Sequence, residues 1–224
     1  MHPQTSRHAV LFDFDGTLGH SLPHWTSAYQ ECLHSHGVTM DTRDVIEACF
    51  TRRQSDVLAD LKIEDHNSFH EGVWERVKQR MPFVESFADL HDLLQSLRAH
   101  SHVLGVVTNS RRGHVAPVLE RWELASHFDV FVAIEDVANG KPHPEPIERA
   151  LELLRIPASN AWMIGDSLVD IHAGKAAGVK TIAFSPPENH PFVDTETLRA
   201  AEPTHVARSN REIANIILPP ERDR

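Results

Sequence analysis

The chain has 224 residues, 41% of them apolar and 24% charged, with a formal net charge of −10, 2 cysteines and 17 histidines. That is enough for one medium domain, or one domain with an insert, and for a core of its own. The negative balance argues against nonspecific binding to nucleic acid or to an anionic membrane surface. No apolar run approaches membrane-spanning length, and the N-terminus lacks the apolar stretch of a secretory signal. Cys32 and Cys49, both in amphipathic segments, read as reduced, packed thiols of a cytoplasmic protein. The histidines read as mostly surface residues.

Residues 9 to 14 read as a buried strand. The next block changes character. Trp25, Tyr29, Leu33 and His36 recur at helical spacing, and so do Val45-Ile46 with Cys49-Phe50. Val57-Leu58 with Leu61, and then Phe69, Val73, Val77 and Met81, continue the pattern. Four helical patterns without a strand predict an all-helical unit over residues 19–82, with Pro82 as its exit hinge. After it the chain alternates. A helix through Phe87, Leu90, Leu94 and Leu97 leads to a strand at Val103 to Val107. A helix through Val115, Leu119 and Trp122 leads to a strand at Val130 to Ala133. A third helix, through Ile147, Leu151 and Leu154, leads to Trp162-Met163-Ile164. A helix after Ser167 leads to a strand from Thr181 to Phe184. Residues 204–207 and 212–218 add an edge strand and a closing helix, and the last six residues read as a polar tail. Continuous apolar strands alternating with helices predict an α/β core, residues 1–18 and 83–224, built on a parallel sheet covered on both faces.

The chemistry gathers at strand ends. The first strand runs into Asp13-Phe14-Asp15-Gly16. Strand side chains alternate faces, so the two acids are expected on one side. Two neighbouring anions repel unless a cation or proton lies between them. Gly16 allows a sharp exit. Ligands of open parallel sheets sit beyond the carboxyl ends of the strands. That rule brings together Thr108-Asn109-Ser110, Gly165-Asp166-Ser167 with Asp170, and Gly140-Lys141-Pro142 from the connection between them. Taken singly, these are ordinary turn, cap and surface residues: Ser167 with Asp170, for instance, is a variant of the capping box. Together they supply acids, a hydroxyl with backbone donors, and one lysine.

Asp13-Phe14-Asp15-Gly16-Thr17-Leu18, Thr108-Asn109-Ser110, Lys141-Pro142 and Gly165-Asp166-Ser167-Leu168-Val169-Asp170 resemble, in order, the four motifs of the haloacid dehalogenase superfamily. The helical insert resembles the small cap of its phosphoglycolate phosphatase-like branch. The resemblance implies a Rossmann-like core and a magnesium-dependent phosphatase acting on a small phosphorylated metabolite. Asp13 would be the nucleophile and Asp15 the acid and base. Magnesium would be held by the Asp13 side chain, the Asp15 backbone carbonyl and Asp166. Thr108 and the Asn109 amide would hold phosphoryl oxygens, Lys141 would neutralise charge, and Asp170 would orient Lys141 or a metal-bound water. Two departures stand out. Gly19-His20 occupies the hinge where this branch usually has a small apolar residue and an acid, and the Lys-Pro-x-Pro-x-hydrophobic pattern is only partly matched.

The acid at Asp15 favours phosphoryl transfer over carbon–halogen cleavage, because the dehalogenases lack it and need no magnesium. Lys62 lies in no motif of the phosphonatase type. Substrate contacts are expected in the cap, with His24, Trp25 and the pair Arg52-Arg53 as candidates; an arginine pair suits a carboxylate or a second phosphate, and also suits a solvated surface. A phosphoglucomutase-type isomerase shares all four motifs, and a non-catalytic binding module is the third alternative. The identity of the phosphorylated substrate and the oligomeric state are not legible.

Overall fold

The computed structural model describes residues 7–51 and 54–219. The described residues of Met1–His20 and Ser86–Arg224 form one compact unit, and Ser21–Glu85 form a second.

The first unit holds a six-stranded, all-parallel sheet: β1 (Ala9–Phe12), β2 (Val103–Val107), β3 (Val130–Val132), β4 (Ala161–Gly165), β5 (Lys180–Phe184) and β6 (His205–Ala207). The strand order is β3-β2-β1-β4-β5-β6. Every residue of β1, β2 and β4 is buried, as expected for strands covered on both faces. Leu11 lies beside Gly105 on one side and Met163 on the other. Gly105 is the residue that fits there: a Cβ would come within 2.6 Å of the Val130 side chain and 2.7 Å of Leu11.

Helices cover the sheet because each has one apolar stripe. In the sheet-bearing unit they are α5 (Leu90–Ala99), α6 (Arg112–Arg121), α7 (Glu145–Leu154), α8 (Leu168–Ala176), α9 (Thr195–Ala200) and α10 (Asn210–Ile217). Helix α5 buries Leu90, Leu93, Leu94 and Leu97. Helix α7 buries Ile147, Ala150 and Leu151 in a cluster with Leu11, Val107, Val132 and Met163. The sequence pattern missed α9 and started α5 three residues early, at Phe87. Two of the histidines expected at the surface, His102 and His114, are buried. Burial, with smaller effects from His8 and His100, pushes the His102 imidazole down to about 4.

The second unit is helical: α1 (Leu22–Ser35), α2 (Thr42–Thr51), α3 (Gln54–Asp60) and α4 (His66–Arg80), with a 3-10 turn at Met81–Phe83. Trp25 of α1 meets Trp74 of α4 edge to face, with ring centroids 5.1 Å apart. The Asp65 side chain caps α4 by accepting from the Ser68 N–H at 2.9 Å. Cys32 is buried, and both cysteines are free thiols. Among the described residues no helix is long and apolar enough to cross a membrane.

Strand order reverses between β1 and β4. The crevice at that switch point, outside the carboxyl ends of the strands, is where such sheets bind ligands. Asp13 follows β1 and Asp166 follows β4.

Candidate active site

Strand β1 ends at Phe12, two residues short of the expectation. The ladder carries on for one bond, Asp13 N–H to the Ile164 carbonyl at 2.9 Å, and then the chain turns. The N–H groups of Leu18 and Gly19 both reach back to the Phe14 carbonyl, at 3.0 and 2.9 Å. Gly16 takes φ +70°, and a Cβ there would lie 2.1 Å from Asp166 Oδ2. The strand-alternation argument therefore stops at Asp13. Asp15 sits in the turn, half-buried, and its Oδ2 accepts a hydrogen bond from the Ser110 hydroxyl.

The lysine expected from sequence is at the centre. The Lys141 side chain is 1% exposed. Its Nζ lies 2.9 Å from Asp13 Oδ1, 2.6 Å from Asp170 Oδ1 and 2.8 Å from the Val107 carbonyl. Burial works against the ammonium, but the adjacent carboxylates of Asp13 and Asp170 outweigh it and hold its pKa above the ordinary lysine value. The Lys141 backbone is fixed as well. Its N–H donates to Asn109 Oδ1 at 2.8 Å, and its carbonyl accepts from Asn109 Nδ2 at 2.8 Å. The next peptide bond, to Pro142, is cis.

Asp170 divides its two oxygens between two partners. Oδ1 accepts from Lys141, while Oδ2 accepts from the backbone N–H and hydroxyl of Ser167 at the start of α8. Gly165 makes room: a Cβ there would meet Asp170 Cγ at 2.2 Å.

One carboxylate oxygen from each of Asp13, Asp166 and Asp170 lies within 4.8 Å of the others. Asp170 is already committed, so Asp13 and Asp166 are the pair left to share a cation. Asp13 Oδ1 is buried against the lysine ammonium. Burial, resisted by Lys141 and reinforced by Asp170 and Asp15, pushes the Asp13 carboxyl up to about 7. Burial and the same acidic neighbours raise Asp166 well above the usual carboxylate range. Hard oxygen donors that cannot comfortably ionise together fit a divalent cation such as magnesium.

Thr108 and Asn109 follow β2. The Thr108 hydroxyl accepts the Ser110 N–H at 3.0 Å. The Asn109 side chain is spent on Lys141, which leaves only its backbone N–H for a phosphoryl oxygen. Among the other candidates, His24 and Trp25 stand on α1 of the helical unit, and Arg52 and Arg53 lie outside the described residues. Sequence reasoning gave Ser110 no role of its own and passed over Asn189 altogether. Asn189 ends a 3-10 turn, Pro187–Asn189, in the loop after β5, and its Nδ2 donates to the Gly16 carbonyl at 2.7 Å. The strand-end rule, applied to β5 as well, points to that loop.

A pyrophosphatase PpaX of Bacillus cereus (strain B4264) is 32% identical over 180 residues, covering 79% of this chain and 82% of that protein. Among solved structures, CbbY from Rhodobacter sphaeroides in complex with phosphate superposes with a TM-score of 0.77 at 23% identity, over 92% of this chain and 96% of that one. A predicted phosphoglycolate phosphatase from Haemophilus somnus 129PT superposes with a TM-score of 0.79 at 19% identity, over 95% and 99%. These two likenesses are likenesses of fold. The profile of the haloacid dehalogenase-like hydrolases matches residues 10–184, from β1 through β5, and the chain belongs to that family of enzymes.

Proposed function

We propose that this phosphatase hydrolyses a small phosphorylated metabolite through an aspartyl phosphate on Asp13 and that it depends on magnesium. The observation that carries the reading is Asp13 itself: a buried carboxylate at the end of β1 whose Oδ1 lies 2.9 Å from the buried Lys141 ammonium. An Asp13 oxygen attacks phosphorus, the bond to the leaving oxygen breaks, and Asp15 gives its proton to that oxygen. Asp15 then takes a proton from water as the water oxygen attacks phosphorus, which releases inorganic phosphate and restores the Asp13 carboxylate. Thr108 and the Asn109 N–H hold phosphoryl oxygens, and Lys141, kept in place by Asp170, offsets their charge. Asp13, Asp166 and the Asp15 carbonyl would hold magnesium, which supplies positive charge that favours the ionised nucleophile and screens it from an anionic substrate.

In this reading residues 19–82 act as the cap. The strand-end groups meet only the phosphoryl group, which all substrates share, so the leaving group has to be selected elsewhere. His24, Trp25, Arg52 and Arg53 remain the proposed contacts. The relative named a pyrophosphatase makes pyrophosphate one member of the panel to try, beside phosphoglycolate and sugar phosphates. Two free thiols accord with a cytoplasmic setting.

The test is phosphate release across that panel with magnesium, for the wild type and for Asp13→Asn. The variant should lose at least about a thousandfold in turnover, and should form no acid-labile phosphoenzyme. Excess chelator should silence the wild type. Retained release in either case refutes the mechanism. Phosphate returned to a sugar, instead of released in step with substrate loss, would identify a mutase.

A further inference from the structure

Asn189 is only 1% exposed and comes from the loop after β5, which carries none of the four motifs. Its Nδ2 donates to the Gly16 carbonyl at 2.7 Å and lies 3.5 Å from Asp166 Oδ2. One side chain therefore ties the turn after β1 to the acid after β4. Its Oδ1 is buried and accepts no hydrogen bond among the described residues. Buried amide oxygens are almost always satisfied, so an orphan beside a cluster of acids calls for a donor that arrives with a ligand.

The loop does not need this side chain to hold its own shape. The Asn189 N–H donates to the Pro186 carbonyl at 3.0 Å, and the Asn189 carbonyl accepts from Phe192 and Val193 at 2.8 and 2.9 Å. Ser185 and Thr195 close the base of the loop with a hydroxyl pair at 2.6 Å. The loop leaves the carboxamide available, and it is placed against the Gly16 carbonyl and Asp166. Gly16 follows Asp15, whose carbonyl is a proposed ligand, and Asp166 is another. The absence of a side chain at Gly16 is what lets Asp166 approach so closely.

We propose that Asn189 is a positioning residue for the divalent cation. Nδ2 fixes the Asp15–Gly16 backbone relative to Asp166. Oδ1 serves as acceptor for a water of the ion's hydration shell, which magnesium keeps in part when bound by few carboxylates. This rests on the reading of the site as a magnesium-dependent phosphatase. Partners that orient ligands typically change metal affinity by about 10–100-fold when removed.

The experiment uses the full chain, freed of metal, with magnesium chloride as the only ligand. Calorimetric titration gives the magnesium dissociation constant, and thermal melts with and without magnesium give the shift on binding. The isosteric Asn189→Leu and the smaller Asn189→Ala both remove the carboxamide; either one that folds suffices. Both should weaken magnesium binding about 10–100-fold, shrink the magnesium-induced rise in Tm, and raise the magnesium concentration needed for half-maximal phosphate release by the same factor. Asp166→Asn serves as the control that loses a ligand outright. Variants that melt earlier without metal but bind magnesium with wild-type affinity would make Asn189 a loop anchor and overturn the inference. A wild type that binds no magnesium would overturn the reading of the site itself, a different result from the same titration.

Discussion

Replacing Lys141 by Met keeps much of the volume and removes the cation held between two buried acids. The ammonium lies 2.9 Å from Asp13 and 2.6 Å from Asp170 with its side chain 1% exposed. Breaking a buried pair of this kind costs about 3–5 kcal/mol, because the partner is left as an uncompensated buried charge. The loss should depend on pH in a definite direction. Asp13 has a folded pKa near 7, above the ordinary carboxylate value, so the folded protein holds more protons than the unfolded chain between roughly pH 4 and pH 7. Its contribution to stability is therefore fully present below that window and is lost as pH rises through it. Lys141 pulls the Asp13 pKa down. Without it the pKa climbs further, and each added unit costs about 1.4 kcal/mol at pH values above it. At about pH 5 Asp13 is protonated in both proteins, so only the Asp170 part of the loss remains. Urea unfolding in chelator should then show the Lys141→Met penalty larger at about pH 8.5 than at about pH 5 by about 1.4 kcal/mol or more. A penalty independent of pH, or one that shrinks toward alkaline pH, would refute the argument that Lys141 balances Asp13.

Two further substitutions probe the turn after β1. Gly16→Ala would set a methyl group 2.1 Å from Asp166 Oδ2 at a backbone φ of +70°; it should lower Tm and raise the magnesium concentration for half-maximal activity at least about tenfold, and an unchanged requirement would show that Asp166 can yield without loss. Ser110→Ala removes the hydroxyl that donates to Asp15; turnover of an alkyl phosphate should fall about tenfold while an aryl phosphate, whose leaving group needs little protonation, falls less, and Ser110→Thr should restore it. Equal losses for both substrates would free Ser110 from any part in aiming the acid.

The parts of this site that were legible in the sequence are those written in consecutive residues. Asp13-Phe14-Asp15-Gly16 and Gly165-Asp166-Ser167 each follow a continuous apolar strand, and the alternation of strands and helices fixes which end of the sheet they share. The edge position of β6 was legible for a similar reason, since it comes last in an all-parallel succession. Failures began where a residue's role depends on a partner far along the chain. Asn189 meets Gly16 across 173 positions, and nothing in Pro186-Pro187-Glu188-Asn189 marks a side chain aimed at a carbonyl near the N-terminus. Ser110 looked like an ordinary turn residue because its partner, Asp15, belongs to another strand end. The two-residue error at the end of β1 has a local cause. Phe14 is as apolar and as buried as the strand before it, so hydrophobicity continues after the ladder has stopped. Its ring stacks on Trp122, with centroids 5.8 Å apart, outside any strand.

A single strand, β2, and the loop after it grip Lys141 at both ends. Asn109, just past β2, pairs with its N–H and carbonyl as a neighbouring strand residue would, and the last carbonyl of β2 itself, at Val107, takes the ammonium. A free lysine side chain carries about 2 kcal/mol of rotamer entropy. Here that freedom is surrendered when the protein folds, before any ligand arrives. The charge therefore waits at a fixed point, and binding an anion requires no search by a flexible arm and little rearrangement of dipoles. The same grip means that the β2 loop and the lysine loop, 32 positions apart, respond to strain together: whatever displaces one displaces the charge held by the other.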